Sequence, residues 1–475
     1  MKTVGAFLAL AASAALSSAA QEAPPNILLI IADDITYSDL PLYGGQNIDT
    51  PNIERLARQG LTFDRAYLSM AMCNPCRTEL YTGLYPLRSG SSWNHSAARP
   101  GTASVVGHMT GLGYRVGLSG KKHVVPDDSF RFENVRGVPN PRDVTPDPDF
   151  DTTSMVEFMT RDPEQPFLLV AAFHEAHAPW TVGHPEKIDA GKLALPRNLA
   201  DTKRTREQFA AYLAEIVAWD EQVGTLLQAL EGTGQSQRTL VLLTSEQGSA
   251  FPGNKWTNWN TGVHTALVAR WPGVVEGGRR TKALVQYADI LPTMLAVAGG
   301  DPELGFDGSS FASVLRGGAS AHRRHVYLMH NNVPEGPPYP VRGVVDEQWH
   351  YLRNLTPEKL FFEKHMMGGF RSNWFWETWL AATGPWNTSP INRRAVELIQ
   401  RFLRRPAEEL YDAVDDPYQL NNLAQDAALA PVRERLAAEL DRWMQAQGDP
   451  GSALDSEAQW RAAREGAHLI PFHGP

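Results

Sequence analysis

The chain has 475 residues, of which 43% are hydrophobic, 20% charged and 9% aromatic; this excludes disordered and fibrous classes and leaves room for one large core plus a smaller one. A net charge of -9 argues against a general affinity for nucleic acid, so an anionic substrate must be drawn in by a local cluster of positive charge. With only two cysteines, Cys73 and Cys76, a disulfide framework is excluded and stability must come from core burial.

In chain order, Met1-Lys2-Thr3, an apolar run from Val4 to Leu16 and Ser18-Ala19-Ala20 before Gln21 have the three-part layout of a secretory signal peptide. We expect residues 1–20 to be removed and the mature protein to be secreted or periplasmic. The run falls short of the roughly 20 apolar residues that a bilayer span needs, and no later stretch reaches that length, so no membrane anchor is expected.

Asn26 to Ala32 is a continuous apolar run ending in Asp33-Asp34, the pattern of a strand buried on both faces of a mostly parallel sheet. Similar runs lie at Pro166 to Phe173 and Thr239 to Thr244. Helical periodicity is predicted at Asn52 to Gln59, Ser104 to Leu112, Arg206 to Glu231 and Ala288 to Ala298. Such alternation implies an α/β domain with its site at the carboxyl ends of the strands. After about Arg323 the pattern changes to short strands (His325 to Met329, Val341 to Val345, Trp349 to Arg353), an aromatic-rich stretch at Phe370 to Trp379 and a helix from Pro431 to Gln447. We therefore expect a catalytic domain at 21–322 and a smaller C-terminal unit at 323–475.

All three buried runs end in polar residues. Adjacent carboxylates such as Asp33-Asp34 repel unless a cation lies between them, which points to a hard divalent metal; a solvated turn is the bland alternative. Glu246-Gln247 adds a carboxylate and an amide oxygen, donors suited to calcium or magnesium rather than zinc. Cys73-Asn74-Pro75-Cys76 reads on its own as a redox pair or half of a metal site. Against zinc stands the lack of further cysteines, and against a thioredoxin-like pair stands the Arg77 that follows.

Cys73-x-Pro75-x-Arg77 with Thr82-Gly83 resembles the signature of the type I sulfatases, in which the first cysteine is oxidised to formylglycine. The resemblance implies an alkaline-phosphatase-like α/β fold: a large mixed, mostly parallel sheet between helices, with a smaller C-terminal α+β subdomain on a short antiparallel sheet. It also implies that Cys73 is the precursor of a hydrated aldehyde whose hydroxyl attacks sulfur, and that a formylglycine-generating maturation enzyme acts on the chain. Asp33 and Asp34 match the family's metal-ligating pair, completed by the modified Cys73, Glu246 and Gln247; the family favours Ca2+, and Mg2+ is the alternative. Thr50-Pro51-Asn52-Ile53 is a further family landmark. Gly120-Lys121-Lys122-His123 resembles the segment whose lysine and histidine hold sulfate and formylglycine. His177 corresponds to the proton donor for the leaving group, and Lys255 to a sulfate-binding lysine. Each has an independent rationale: Arg77, Lys121, Lys255 and a metal can stabilise negative charge on the sulfuryl oxygens, and a histidine can deliver a proton at bond cleavage.

Two departures stand out. Glu246-Gln247 replaces the family's usual Asp followed by Asn or His, and Asn260-Thr261-Gly262-Val263-His264 replaces its Glu-Gly-Gly-x-Arg segment. His174, Lys122, Trp256 and His264 are the expected substrate contacts, with Trp259 and Trp374 to Trp379 as candidates for stacking on sugar. Gly120 to Val124, Ala172 to Glu175 and Arg442-Trp443 look most like the branch containing N-sulfoglucosamine sulfohydrolase. The expected activity is hydrolysis of sulfate esters or sulfamates on a carbohydrate. The alternatives are a phosphodiesterase or phosphonate hydrolase of the same superfamily, and a non-catalytic sulfoglycan-binding protein should Cys73 stay unmodified.

Overall fold

The computed structural model describes residues 24–139, 149–363 and 390–466. The expected signal peptide and the aromatic stretch Phe370 to Trp379 lie outside them. No helix among the described residues is long and apolar enough to cross a membrane.

The larger sheet consists of β1 (Asn26–Ala32), β2 (Leu61–Tyr67), β3 (Arg115–Gly120), β4 (Glu133–Asn134), β5 (Phe167–Ala172), β6 (Thr239–Ser245), β7 (His264–Arg270), β8 (Arg279–Thr281) and β9 (Val285–Gln286). Its order is β4-β3-β5-β1-β6-β7-β2-β8, with β9 also paired to β2. The centre is parallel: Ile31 of β1 aligns with Ala172 of β5 on one side and with Thr244 of β6 on the other. β7 runs antiparallel to both β6 and β2. Every residue of β1, β5 and β6 is buried, because helices cover both faces. One face packs under the helices Val105–Gly111 and Ile290–Val297, the other under α1 (Pro51–Arg58) and the long helix Lys203–Gly232.

The predicted strands and helices form, with ends shifted by a few residues at most. Among the strands that sequence reading missed are β2, β3 and β7. Each mixes polar and charged residues into its apolar run (Leu-Thr-Phe-Asp-Arg-Ala-Tyr in β2), and tertiary pairing overrides that weak local signal.

The smaller sheet is antiparallel, in the order β10 (Val326–His330), β11 (Val341–Val345), β12 (Trp349–Asn354) and β13 (Glu408–Asp412). A third apolar cluster joins it to the larger sheet, with Met70, Met72, Tyr85 and Trp256 packed against Met329, Leu410 and Trp443. Trp443, on the helix Ala430–Gln447, stacks on Tyr327 at 5.1 Å and meets Tyr85 edge-on at 5.6 Å. A polar strut adds to this: Trp259 Nε1 donates to Glu409 Oε2 at 2.9 Å while Arg401 and Arg405 lie over the indole ring at 3.5 and 4.5 Å.

Candidate active site

Three parallel strands deliver the polar ends read from the sequence to one place. Asp33 and Asp34 follow β1, with Asp34 in the left-handed region at φ +56°, which aspartate tolerates better than most residues. The segment after β5 is tied to them: Asp33 N–H donates to Glu175 O at 2.9 Å and Ala176 N–H to Asp33 O at 2.6 Å. Glu246 and Gln247 follow β6. Gly248 is required there, since a Cβ would lie 1.7 Å from Thr261 O. This close approach folds the loop back so that Trp256 N–H reaches Ala71 O at 3.0 Å, placing Lys255 beside the start of α2 (Cys73–Thr82).

Cys73 occupies the first turn of α2, whose ten residues are all buried and which Gly83 ends in the left-handed conformation at φ +68°. The free N–H groups and dipole of this helix end favour negative charge at Cys73. One turn on, Arg77 pairs with the Glu246 carboxylate and donates to Lys121 O. Lys121, just beyond β3, pairs with Asp33, and Lys255 Nζ donates to Asp34 Oδ2 at 2.7 Å. His177 Nδ1 lies 2.7 Å from Ala178 O, which fixes its N–H there and turns Nε2 to Asp34 Oδ2 at 3.7 Å.

Burial governs the protonation of the site. It opposes charge on Lys255, but the Asp34 carboxylate outweighs it and holds the ammonium well above its usual range. Burial and then Lys255 depress His177, leaving a neutral ring in the free protein. The Cys73 thiol is pushed up to about 12 by burial, against the pull of Lys121 and Lys255. An unmodified Cys73 is therefore a poor thiolate nucleophile at neutral pH.

Ligand atoms of Asp33, Asp34, Cys73 and Glu246 lie within 4.8 Å of one another, as do those of Asp33, Cys73 and His177. Glu246 Oε2 is buried and accepts no hydrogen bond from the described residues. Burial raises the Glu246 carboxyl to about 8 and the neighbouring Asp33 carboxylate adds to that rise, a repulsion that a cation between them would relieve. An oxygen-rich, buried set with one unsatisfied acceptor fits a hard divalent cation. As placed, Gln247 Nε2 donates to Asp34 Oδ1 at 2.6 Å; turning the amide over would present its oxygen to the same point.

The structure thus brings together Asp33, Asp34, Cys73, Arg77, Lys121, His177, Glu246, Gln247 and Lys255. His123 borders this set, its carbonyl accepting from Asn74 Nδ2 at 3.1 Å. His174 is half-buried at the end of β5, and Lys122 pairs outward with the exposed Asp127. Two expected substrate contacts are placed otherwise. Trp256 is 3% exposed, and Lys255 Nζ lies 4.8 Å from its ring centroid, so it supports the lysine rather than offering a sugar platform. His264 begins β7, stacked between Tyr37 at 3.7 Å and Tyr67 at 4.6 Å with Nε2 at 3.0 Å from Asp64 O. Trp259, in its strut to Glu409, has no free face for a sugar either. Sequence reading missed His95, which adjoins His123, and Glu335, which adjoins His95; both sit in turns with no strand-end signal to mark them.

The profile of the sulfatase family matches residues 25–300. The chain is 30% identical over 436 residues to an ulvan-active sulfatase of Formosa agariphila, covering 91% of this chain and 82% of that protein. It is 25% identical to human N-sulphoglucosamine sulphohydrolase, covering 90% and 91% of the two chains. Among solved structures, a protein in complex with its substrate D-glucosamine-2-N,6-O-disulfate superposes with a TM-score of 0.67 at 18% identity, over 90% of this chain and 99% of that one. The phosphonate monoester hydrolase of Silicibacter pomeroyi shares the fold with a TM-score of 0.65 at 19% identity, over 89% and 96%. With Cys73, the cationic residues and the carboxylates gathered at the strand ends of this fold, the chain belongs to the sulfatase family and is a sulfuric ester hydrolase.

Proposed function

We propose that the protein removes sulfate from a carbohydrate, as an O-sulfate ester or an N-sulfamate, using a formylglycine made from Cys73 by a maturation enzyme and a Ca2+ held by Asp33, Asp34, Glu246 and Gln247. When present, these groups supply a hydroxyl nucleophile and a counter-charge for the sulfuryl oxygens. The observation that carries the reading is the environment of Cys73. Its sulfur lies 3.7 Å from Asp33 Oδ1 at the start of a buried helix, with Arg77, Lys121, Lys255 and His177 around the same carboxylates.

The chain's own residues have distinct tasks. Lys121, Lys255 and Arg77 form a buried cationic set that draws in a sulfate despite the net charge of -9, and they stabilise the charge that develops on its oxygens. His177, anchored through Nδ1–H, presents Nε2 for proton delivery to the departing sugar oxygen or nitrogen. An arriving sulfate offsets Lys255 and Lys121, which add to the effect of burial on this ring, and so favours its protonation. His174 and Lys122 form the rim. The relatives named for ulvan and for N-sulphoglucosamine support a glycan substrate. The secretory layout read in residues 1–20 supports a secreted or periplasmic site of action.

Peptide mass spectrometry of the Cys73 segment from native-host material, paired with sulfate release from sulfated glycans, tests the reading. We expect an aldehyde or its hydrate at residue 73 and release of inorganic sulfate. An unmodified or Cys76-bridged Cys73 in active protein, or faster turnover of a phosphodiester, would overturn it.

A further inference from the structure

His123 is the inner end of a polar chain that no catalytic strand accounts for. Its Nε2 is 3.1 Å from His95 Nδ1, and His95 Nε2 is 3.7 Å from Glu335 Oε1. Glu335 is 1% exposed and belongs to the loop after β10, so the smaller sheet supplies it. That loop is clamped: Asp455 accepts from the backbone N–H groups of Asn332, Val333 and Tyr339 at 2.8, 3.0 and 2.7 Å. Asn331 Nδ2 ties it to Ser92 O at 2.7 Å, next to the turn that holds His95 at φ +61°. Asn94 Nδ2 donates to Glu335 Oε1 as well. A buried carboxylate fixed this firmly against a histidine selects which ring nitrogen carries the proton.

The direction of the chain follows from its two ends. With the proton on His95 Nε2, that N–H faces the carboxylate, and His95 Nδ1 accepts from His123 Nε2–H. His123 Nδ1, which is buried and makes no hydrogen bond among the described residues, is then a bare lone pair. Reversing the chain places an N–H at that buried position with no acceptor, and sets a lone pair of His95 against the Glu335 carboxylate. One contact favours the reverse: Asn94 Nδ2 also lies 3.2 Å from His95 Nε2. That neutral contact is weaker than an N–H of His95 directed at the Glu335 carboxylate.

We propose that Glu335 and His95 are positioning residues that hold His123 as the Nε2–H tautomer and keep its buried Nδ1 as a hydrogen-bond acceptor beside the candidate active site. That this acceptor serves sulfate release rests on the function proposed above; the tautomer does not.

Two-bond 15N–1H spectra of the full chain with labelled histidine read the tautomer directly, whether or not Cys73 is converted, with His123→Gln and His95→Gln assigning the signals. We expect a neutral His123 protonated on Nε2, retained in Glu335→Gln and lost to a mixture in Glu335→Leu. Turnover of 4-methylumbelliferyl sulfate gives a second reading. His95→Leu, which removes the acceptor, should lower kcat about 10- to 100-fold with KM little changed, and His95→Gln, whose amide oxygen can accept from His123, should restore most of it. A proton on His123 Nδ1 would overturn the proposal, as would a spectrum indifferent to Glu335→Leu or a loss confined to KM. The right tautomer in a protein that releases no sulfate would leave the relay standing and remove the proposed function instead.

Discussion

The side-chain amide of Gln247 donates to Cys73 Sγ at 3.1 Å, and its oxygen receives Cys76 Sγ–H at 3.4 Å. One planar group thus lies against both sulfurs of the Cys-x-x-Cys motif, and both thiols are free and buried. Oxidation to a disulfide would remove the Cys76 S–H that the amide oxygen accepts, so these contacts favour the reduced pair. Gln247→Ala should therefore permit a Cys73–Cys76 bridge under mild oxidant where the parent chain forms none. Mass spectrometry of the 73–76 peptide without reductant checks this; a bridge forming equally fast in the parent would show that the amide is no barrier.

Replacing Cys73 with alanine removes the proposed formylglycine precursor and little else. The side chain is 2% exposed and its contacts are weak sulfur hydrogen bonds, so the cost in stability should stay below about 2 kcal/mol. Sulfate release should fall by about 10⁴-fold or more, as expected when a nucleophile is deleted. Parallel thermal unfolding and sulfate assays check both halves, and full activity in the variant would remove Cys73 from the reaction.

These two residues also show what the sequence makes legible. Asp33, Asp34, Glu246 and Gln247 could be read because each ends a continuous apolar run, and a buried parallel strand delivers its last residues to one edge of the sheet. Cys73 and Arg77 were legible only from their resemblance to a family signature, since the spacing alone also suits a redox pair or half of a metal site. Trp256 and His264 were misplaced because proximity in sequence says nothing about which face a side chain shows: Trp256 turns toward Met70 and Tyr85, and His264 is closed between two tyrosines. Glu335 was invisible for another reason. It reaches His95 across 240 residues of chain, through an interface that forms only when the two sheets pack.

Lys255 and Asp34 make a buried ion pair that a metal would compete for. Lys255→Ala leaves a buried carboxylate without its partner and should destabilise the free protein by about 3–5 kcal/mol. Millimolar Ca2+ should recover part of the loss. In the parent chain, Ca2+ at 100 times its Kd should add about 2.7 kcal/mol, an increment that EDTA reverses and Asp33→Asn largely removes. Thermal unfolding with and without Ca2+, and with Mg2+ for comparison, measures these shifts; a chain indifferent to both ions would refute the cation site.

Glu215 offers a pH test away from the site. It lies on the helix Lys203–Gly232, and its Oε1 accepts from Thr181 N–H at 2.6 Å and Val182 N–H at 3.0 Å, pinning the segment that follows His177. Burial raises its carboxyl to about 8, more than those two hydrogen bonds lower it, from an ordinary value of 4.5. The folded protein therefore holds this proton more tightly than the unfolded chain. Its contribution to stability is fully present below about pH 4.5 and is lost as pH rises through about 8. Glu215→Gln keeps an oxygen for both donors and cannot ionise. Relative to the parent, the variant should gain stability from pH 5 to pH 8, with a slope of at most about 1.4 kcal/mol per pH unit. Denaturant unfolding across that range measures the difference, and a gap that stays flat or narrows would mean that Glu215 is ionised in the folded protein at neutral pH.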